Sequence, residues 1–266
     1  MSLVRSSELP EWHIKYRGIY DEYRSPRGPF QALLSIFEWH TETLNIYTHL
    51  VLGLYYIWKL LWLSPGGSLE HQFLLWVAYS GAAMMGIFSG FAHTFFIVNY
   101  DWYYISWKLD FIGIIAINFS HHLFDTFVLT KGILGNRELC LIGFYIETLF
   151  AIYCICRIAV CDLEIGRYWA FMYPIITCIP LTVTVYIYSR ISGVNILILQ
   201  LTQGSMNCTC FIIVAGLLFF KGGFPERYYN PHGIFNKFNS HTWHHIFCIF
   251  SIIAAFEGLP KLFLLE

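Results

Sequence analysis

Seven stretches of this chain stay apolar for about 20 residues each, the length an α-helix needs to cross the hydrocarbon core of a bilayer. They fall near residues 45–63, 72–97, 104–125, 138–158, 168–189, 195–219 and 241–263. A backbone in lipid has to satisfy its own hydrogen bonds, so runs of this length predict an all-α, polytopic membrane protein, a seven-transmembrane helix bundle. Composition agrees: 57% of residues are hydrophobic and 12% charged, against roughly one quarter charged in soluble domains. The connections are short, so residues 1–44 read as an N-terminal segment and 45–266 as the bundle, with no separate soluble domain.

The first 29 residues are polar and broken by Pro10, Pro26 and Pro29. No cleavable leader is expected there, and the first span has to serve as the insertion signal. Phe30, Leu33, Leu34 and Phe37 recur at helical spacing, which predicts a short helix lying on the inner leaflet over 30–41. With the N-terminus in the cytosol, eleven Lys and Arg residues fall inside and five outside. The positive-inside rule then predicts a cytosolic N-terminus and an extracytosolic C-terminus, in the plasma membrane or the ER/Golgi.

Histidines within such spans require partners. His241 and His245 are spaced i,i+4 in S-H-T-W-H-H (240–245), which puts both rings on one helix face. His93 lies near the inner end of the second span and Asp110 in the first turn of the third. Ser89, four residues before His93, points to the same place in the bundle. Four ionisable groups from three spans thus meet in one leaflet, where ionisable residues are costly and usually functional. Three neutral imidazoles suit Zn²⁺ and leave its fourth position open to water, the pattern of catalytic rather than structural zinc. Asp110 would take a proton from that water, and Ser89 would donate to a developing oxyanion.

Other histidines read differently. His244 faces away from His245 by about 100° of helix rotation. His121, His122 and Asp125 lie at the outer end of the third span, where water is expected nearby. His40, Glu42, Asn45 and His49 read as a polar cluster closing the inner vestibule. The cysteines read as small packing residues.

Five segments carry a resemblance: H-T-E-T-L-N-I-Y-T-H-L (40–50), S-G-F-A-H-T (89–94), K-L-D-F-I-G (108–113), P-E-R (225–227) and S-H-T-W-H-H (240–245). In type and order they resemble the progestin and adipoQ receptor family, which contains the adiponectin receptors and is related to hemolysin-III-like proteins. The resemblance implies seven spans and a zinc near the inner face held by His93, His241 and His245, with Ser89 and Asp110 beside it. The chain departs from the family pattern after S-x-x-x-H, where F-F-I-V-N-Y-D stands, and at Pro231-His232. Alkaline ceramidases share the three-histidine, aspartate and serine set, but the 40–50 segment favours the receptor family.

Two functions follow from different classes. One is hydrolysis of a ceramide-like lipid amide by zinc-activated water, with the membrane lipid as substrate. The other is a receptor or membrane-homeostasis regulator with structural zinc and an extracellular ligand. Nothing in the chain points to nucleic acid as a partner.

Overall fold

The computed structural model describes residues 3–62, 68–127, 130, 135–193, 222–230 and 233–257. Eight α-helices run through them in chain order: α1 (Pro29–Leu34), α2 (Thr43–Leu61), α3 (Leu69–Phe95), α4 (Tyr100–Phe127), α5 (Arg137–Val160), α6 (Leu163–Ser192), α7 (Glu226–Tyr229) and α8 (Ser240–Glu257). Six of these are long, and each overlays one of the expected spans. The expected span over 195–219 lies outside the described residues. The only strands among the described residues are Leu3–Val4 and Tyr23–Arg24, paired antiparallel in the N-terminal segment.

Two apolar clusters hold the bundle together. Leu52 and Tyr56 of α2, Ala78 to Met85 of α3, Ile117 of α4, and Ile252 and Phe256 of α8 form one. Trp107, Phe111 and Ile115 of α4 pack with Ala151, Cys154 and Ile158 of α5 and Ala170 and Tyr173 of α6 in the other. Helix α4 belongs to both and is the central strut.

The bundle carries its own apolar exterior. Leu141, Ile142, Tyr145, Ile146, Leu149 and Ile152 of α5 are all exposed, far more contiguous apolar surface than a soluble protein shows to water. By length and composition, Gln72–Phe95 and Arg137–Val160 suffice to cross a membrane. An all-α membrane bundle whose outer face meets acyl chains accounts for both features.

Close approach of α2 and α3 rests on glycine. A Cβ on Gly53 would stand 2.9 Å from the backbone nitrogen of Ile87, and one on Gly86 would stand 2.7 Å from the carbonyl oxygen of His49. Small residues at such a crossing let backbones pack directly, which is how helices associate without a hydrophobic driving force.

Residues 3–41 fold against one end of the bundle. Leu9, Tyr16, Ile19 and Tyr23 form a small core of their own, and Ala32 of α1 packs with Phe96 and Ile97 after α3. The amphipathic helix expected over 30–41 is shorter than its apolar pattern suggests. Six residues of α-helix pass into a 3-10 turn at Ser35–Phe37. Phe30, Leu33, Leu34, Phe37 and Trp39 stay exposed there, as an interfacial segment requires.

Gly86→Ala should separate α2 from α3 and lower stability by about 2–4 kcal/mol, the cost of overpacking a tight core. Gly166→Ala, whose added Cβ would meet its nearest atom at 3.6 Å, should be neutral or stabilising by up to about 1 kcal/mol. Thermal unfolding of detergent-purified variants measures both.

Candidate metal centre

The position of α8 is set before its histidines are. Asn239 caps the helix, its Oδ1 accepting the Thr242 N–H at 3.0 Å, a contribution of about 1 kcal/mol. Buried Glu226, in the P-E-R segment, accepts the Ser240 N–H at 2.7 Å and also bonds the Ser240 hydroxyl. Two of the first orphan amides of α8 are thereby met, and an acidic group sits at the positive end of its dipole. His241 and His245 then lie one turn apart on the face turned toward α3.

His93 meets them from α3. Its Nε2 is 3.4 Å from Nε2 of His241, and Nε2 of His245 is 2.9 Å from Nε2 of His241. One ligand atom from each of the three buried residues lies within 4.8 Å of the others. Nitrogens bound tetrahedrally at 2.0–2.1 Å stand about 3.3–3.4 Å apart. The cluster could hold a metal ion with small adjustments.

The centre forms part of the wall of a cavity of about 320 Å³. His49, Ser89, Asp110, His241 and His245 supply part of its polar lining, with Asn118, Glu164 and Arg167, and Met85, Phe111, Ile114, Ile117 and Ile252 much of its apolar side. Ser89 stands beside Asp110, within reach of its carboxylate, and Asp110 Oδ1 has no hydrogen-bond partner. A buried carboxylate oxygen left unpaired at a cavity surface fits the donor set of the three imidazoles and a ligand between them. The expected site residues from α3, α4 and α8 therefore meet at one place.

The remaining histidines separate. His244 also lines the cavity, but its ring centroid is 6.2 Å from that of His245 and it is outside the three-ligand group. His121, His122 and Asp125 differ from the expectation of nearby water: all three are buried, at 1%, 0% and 2% exposure. Helices α5 and α6 cover that end of α4, and His122 bonds Thr177 of α6 at 2.8 Å. Among the described residues they do not join a metal-binding group.

The segment expected to close a vestibule contributes directly to the centre. Glu42 Oε2 is 2.8 Å from His93 Nδ1, Asn45 donates to the same oxygen at 2.9 Å, and Thr242 of α8 bonds Asn45 Oδ1 at 2.6 Å. His49 stands edge-on to His245 with ring centroids 4.0 Å apart. The spacing of Glu42, Asn45 and His49 places them on one helix face, the signal by which they could have been found.

The N-terminal segment also packs against the centre. Arg24 is 1% exposed and donates to the His93 carbonyl, to the Thr94 carbonyl and to the Ser35 hydroxyl. Burial lowers its guanidinium to about 10, so it stays charged at neutral pH. Burial alone would raise the Glu42 carboxyl, but the hydrogen bond with His93 and the charge of Arg24 act the other way and hold it below its ordinary value. His40 is pushed down to about 3 by burial and by Arg24 and remains neutral. Burial and then Glu42 raise the Tyr16 hydroxyl, and the Tyr16 ring lies 5.7 Å from that of His241.

Comparison with other proteins shows the family. Residues 37–256 match the family model described as Haemolysin-III related. The Oryza sativa subsp. japonica protein named Heptahelical transmembrane protein ADIPOR1 is 49% identical over 49 residues, 18% of this chain and 13% of that protein. Heptahelical transmembrane protein 3 of Arabidopsis thaliana is 32% identical over 91 residues, 34% of this chain and 23% of that protein. The chain thus aligns with less than a quarter of either relative's length.

Replacing His93, His241 or His245 with Ala should reduce bound metal to below about one tenth of the wild-type content, because three ligands are already one short of a closed shell. His244→Ala should keep it. Elemental analysis of protein purified with zinc measures the difference, and equal loss from the His244 variant would contradict this geometry.

Proposed function

This chain belongs to the Haemolysin-III related family, and on that premise we propose that it is a zinc-containing, adiponectin-receptor-like membrane protein that hydrolyses a ceramide-like lipid amide. The observation that carries this reading is the set of three converging imidazoles, of which His241 and His245 lie on the wall of a largely apolar cavity that Asp110 and Ser89 also line. An acyl chain fits the apolar side, and an amide the polar side.

In this reading His93, His241 and His245 hold the zinc, which when bound supplies Lewis acidity where the carbonyl would lie. Asp110 takes a proton from the water that attacks the amide carbon and delivers it to the departing nitrogen, so that one amide and one water become one acid and one amine. The Ser89 hydroxyl donates to the carbonyl oxygen as negative charge develops there. The basic-residue bias supports a cytosolic N-terminus, which puts the centre in the cytosolic leaflet.

One observation favours a second reading, a non-enzymatic receptor or membrane-homeostasis regulator in which zinc ties α3 to α8. The N-terminal segment grips the centre's own backbone through Arg24. A state of the bundle that altered the centre would be felt by this segment directly.

Asp110→Asn separates the two. A hydrolase should keep its zinc while turnover falls about 10²–10⁴-fold, the usual worth of general-base help. Zinc content and sphingosine release from ceramide in liposomes are the measurements. No hydrolysis of several lipid amides by zinc-loaded wild type would leave the receptor reading as the better one.

A further inference from the structure

Glu42 occupies the N-cap position of α2, where a carboxylate ordinarily accepts amide protons of the first helical turn. Its side chain makes no such bond. It turns away from its own helix to reach His93 Nδ1 at 2.8 Å, and it is only 2% exposed. The ring's other nitrogen, Nε2, faces Nε2 of His241 at 3.4 Å. A neutral imidazole that ligates through Nε2 carries its hydrogen on Nδ1, where Glu42 Oε2 is placed to accept it.

The carboxylate is itself held. Asn45, one turn further along α2, donates to the same Glu42 oxygen at 2.9 Å, and its own oxygen accepts from Thr242 of α8 at 2.6 Å. Thr242 immediately follows His241, so the chain Thr242–Asn45–Glu42–His93 links the α8 side of the centre to its α3 side through α2. Buried Arg24 supplies the compensating positive charge while bonding the His93 carbonyl. His93 is thus gripped at its ring and at its backbone by residues outside its own helix. Glu42 is no part of the converging group of possible ligands, and it bonds the ring nitrogen turned away from that group.

We infer that Glu42 is a positioning residue for the metal centre: it fixes His93 as the Nδ1–H tautomer with Nε2 aimed at the ion, and Asn45 and Thr242 hold Glu42 in place. This rests on the metal-binding reading of the three histidines. A carboxylate behind a ligating imidazole orients the ring and makes it a better ligand, and its loss usually lowers metal affinity 10–100-fold.

The test is zinc affinity by competition with a chromogenic chelator, together with thermal unfolding of the metal-free protein. Glu42→Gln, which keeps size but not charge, should weaken zinc binding about tenfold, and Glu42→Ala about a hundredfold. Glu42→Asp should fall between wild type and Glu42→Ala. A purely structural role predicts the reverse: a lower metal-free melting temperature and zinc affinity within twofold of wild type, which would overturn the inference. Should Glu42→Gln not fold, ¹⁵N-histidine NMR of the zinc-loaded wild type decides. A protonated His93 Nδ1 supports the assignment, and zinc on Nδ1 overturns it. Wild type that takes up no zinc would remove the metal reading and this inference together, whereas zinc-loaded wild type with an unaffected Glu42→Gln variant overturns this inference alone.

Discussion

A carboxylate and a guanidinium taken out of water cost several kcal/mol each unless their lone pairs and protons are met inside the protein. Glu42 and Arg24 are both almost fully buried at one end of this bundle, and the surrounding architecture meets most of their polar atoms, all but Glu42 Oε1 and Arg24 Nε. Glu42 accepts from His93 and Asn45. Arg24 spends its guanidinium protons on two carbonyls at the end of α3 and on Ser35. The N-terminal strand, α1, the start of α2 and the end of α3 are consequently tied by charge-assisted bonds, which are about twice as strong as neutral ones. An apolar core alone would leave these elements free to slide.

The same economy governs the bundle at large. Helices in lipid gain little from burying apolar side chains against one another, so their register depends on contacts that fit in one place. Gly53 against Gly86 sets the distance between α2 and α3. Asn45 with Thr242 then sets the register of α2 against α8, and Glu226 with Asn239 sets where α8 begins. These three constraints place His93, His241 and His245 where their nitrogens converge. The residues of the centre are thus held by polar contacts one layer out.

Much of this was legible in the sequence because it depends on local periodicity. Apolar length located the long helices, and i,i+4 spacing brought His241 and His245 to one face. Ser89 and His93 were paired by the same spacing, and Asp110 by its depth in the next span. What escaped depends on chain segments distant in sequence. Residues 3–28 have no helical pattern, and their fold against the bundle comes from scattered aromatics and from Arg24, two of whose partners lie about 70 residues away. Glu42 was legible as polar and near the inner face, but the turn of its side chain toward His93 follows from the α2–α3 packing. His121, His122 and Asp125 were read as close to water because they end a span. Cover by α5 and α6 cannot be inferred from α4 alone.

The proposed hydrolase and receptor readings draw on one physical arrangement. A lipid in the cavity would touch α3, α4 and α8 together, including Asp110, Ser89 and the histidines. The N-terminal segment lines the same cavity through Ile14 and grips the histidine layer through Arg24 on the His93 carbonyl and Tyr16 against His241. Any ligand that shifts α3 relative to α8 must work against Thr242–Asn45–Glu42–His93, and through Glu42 against Arg24. Were a ligand in the cavity to shift these contacts, the N-terminal segment would be coupled to it, and such linkage is reciprocal. In this fold, chemistry at the centre and communication across it would use the same hydrogen bonds.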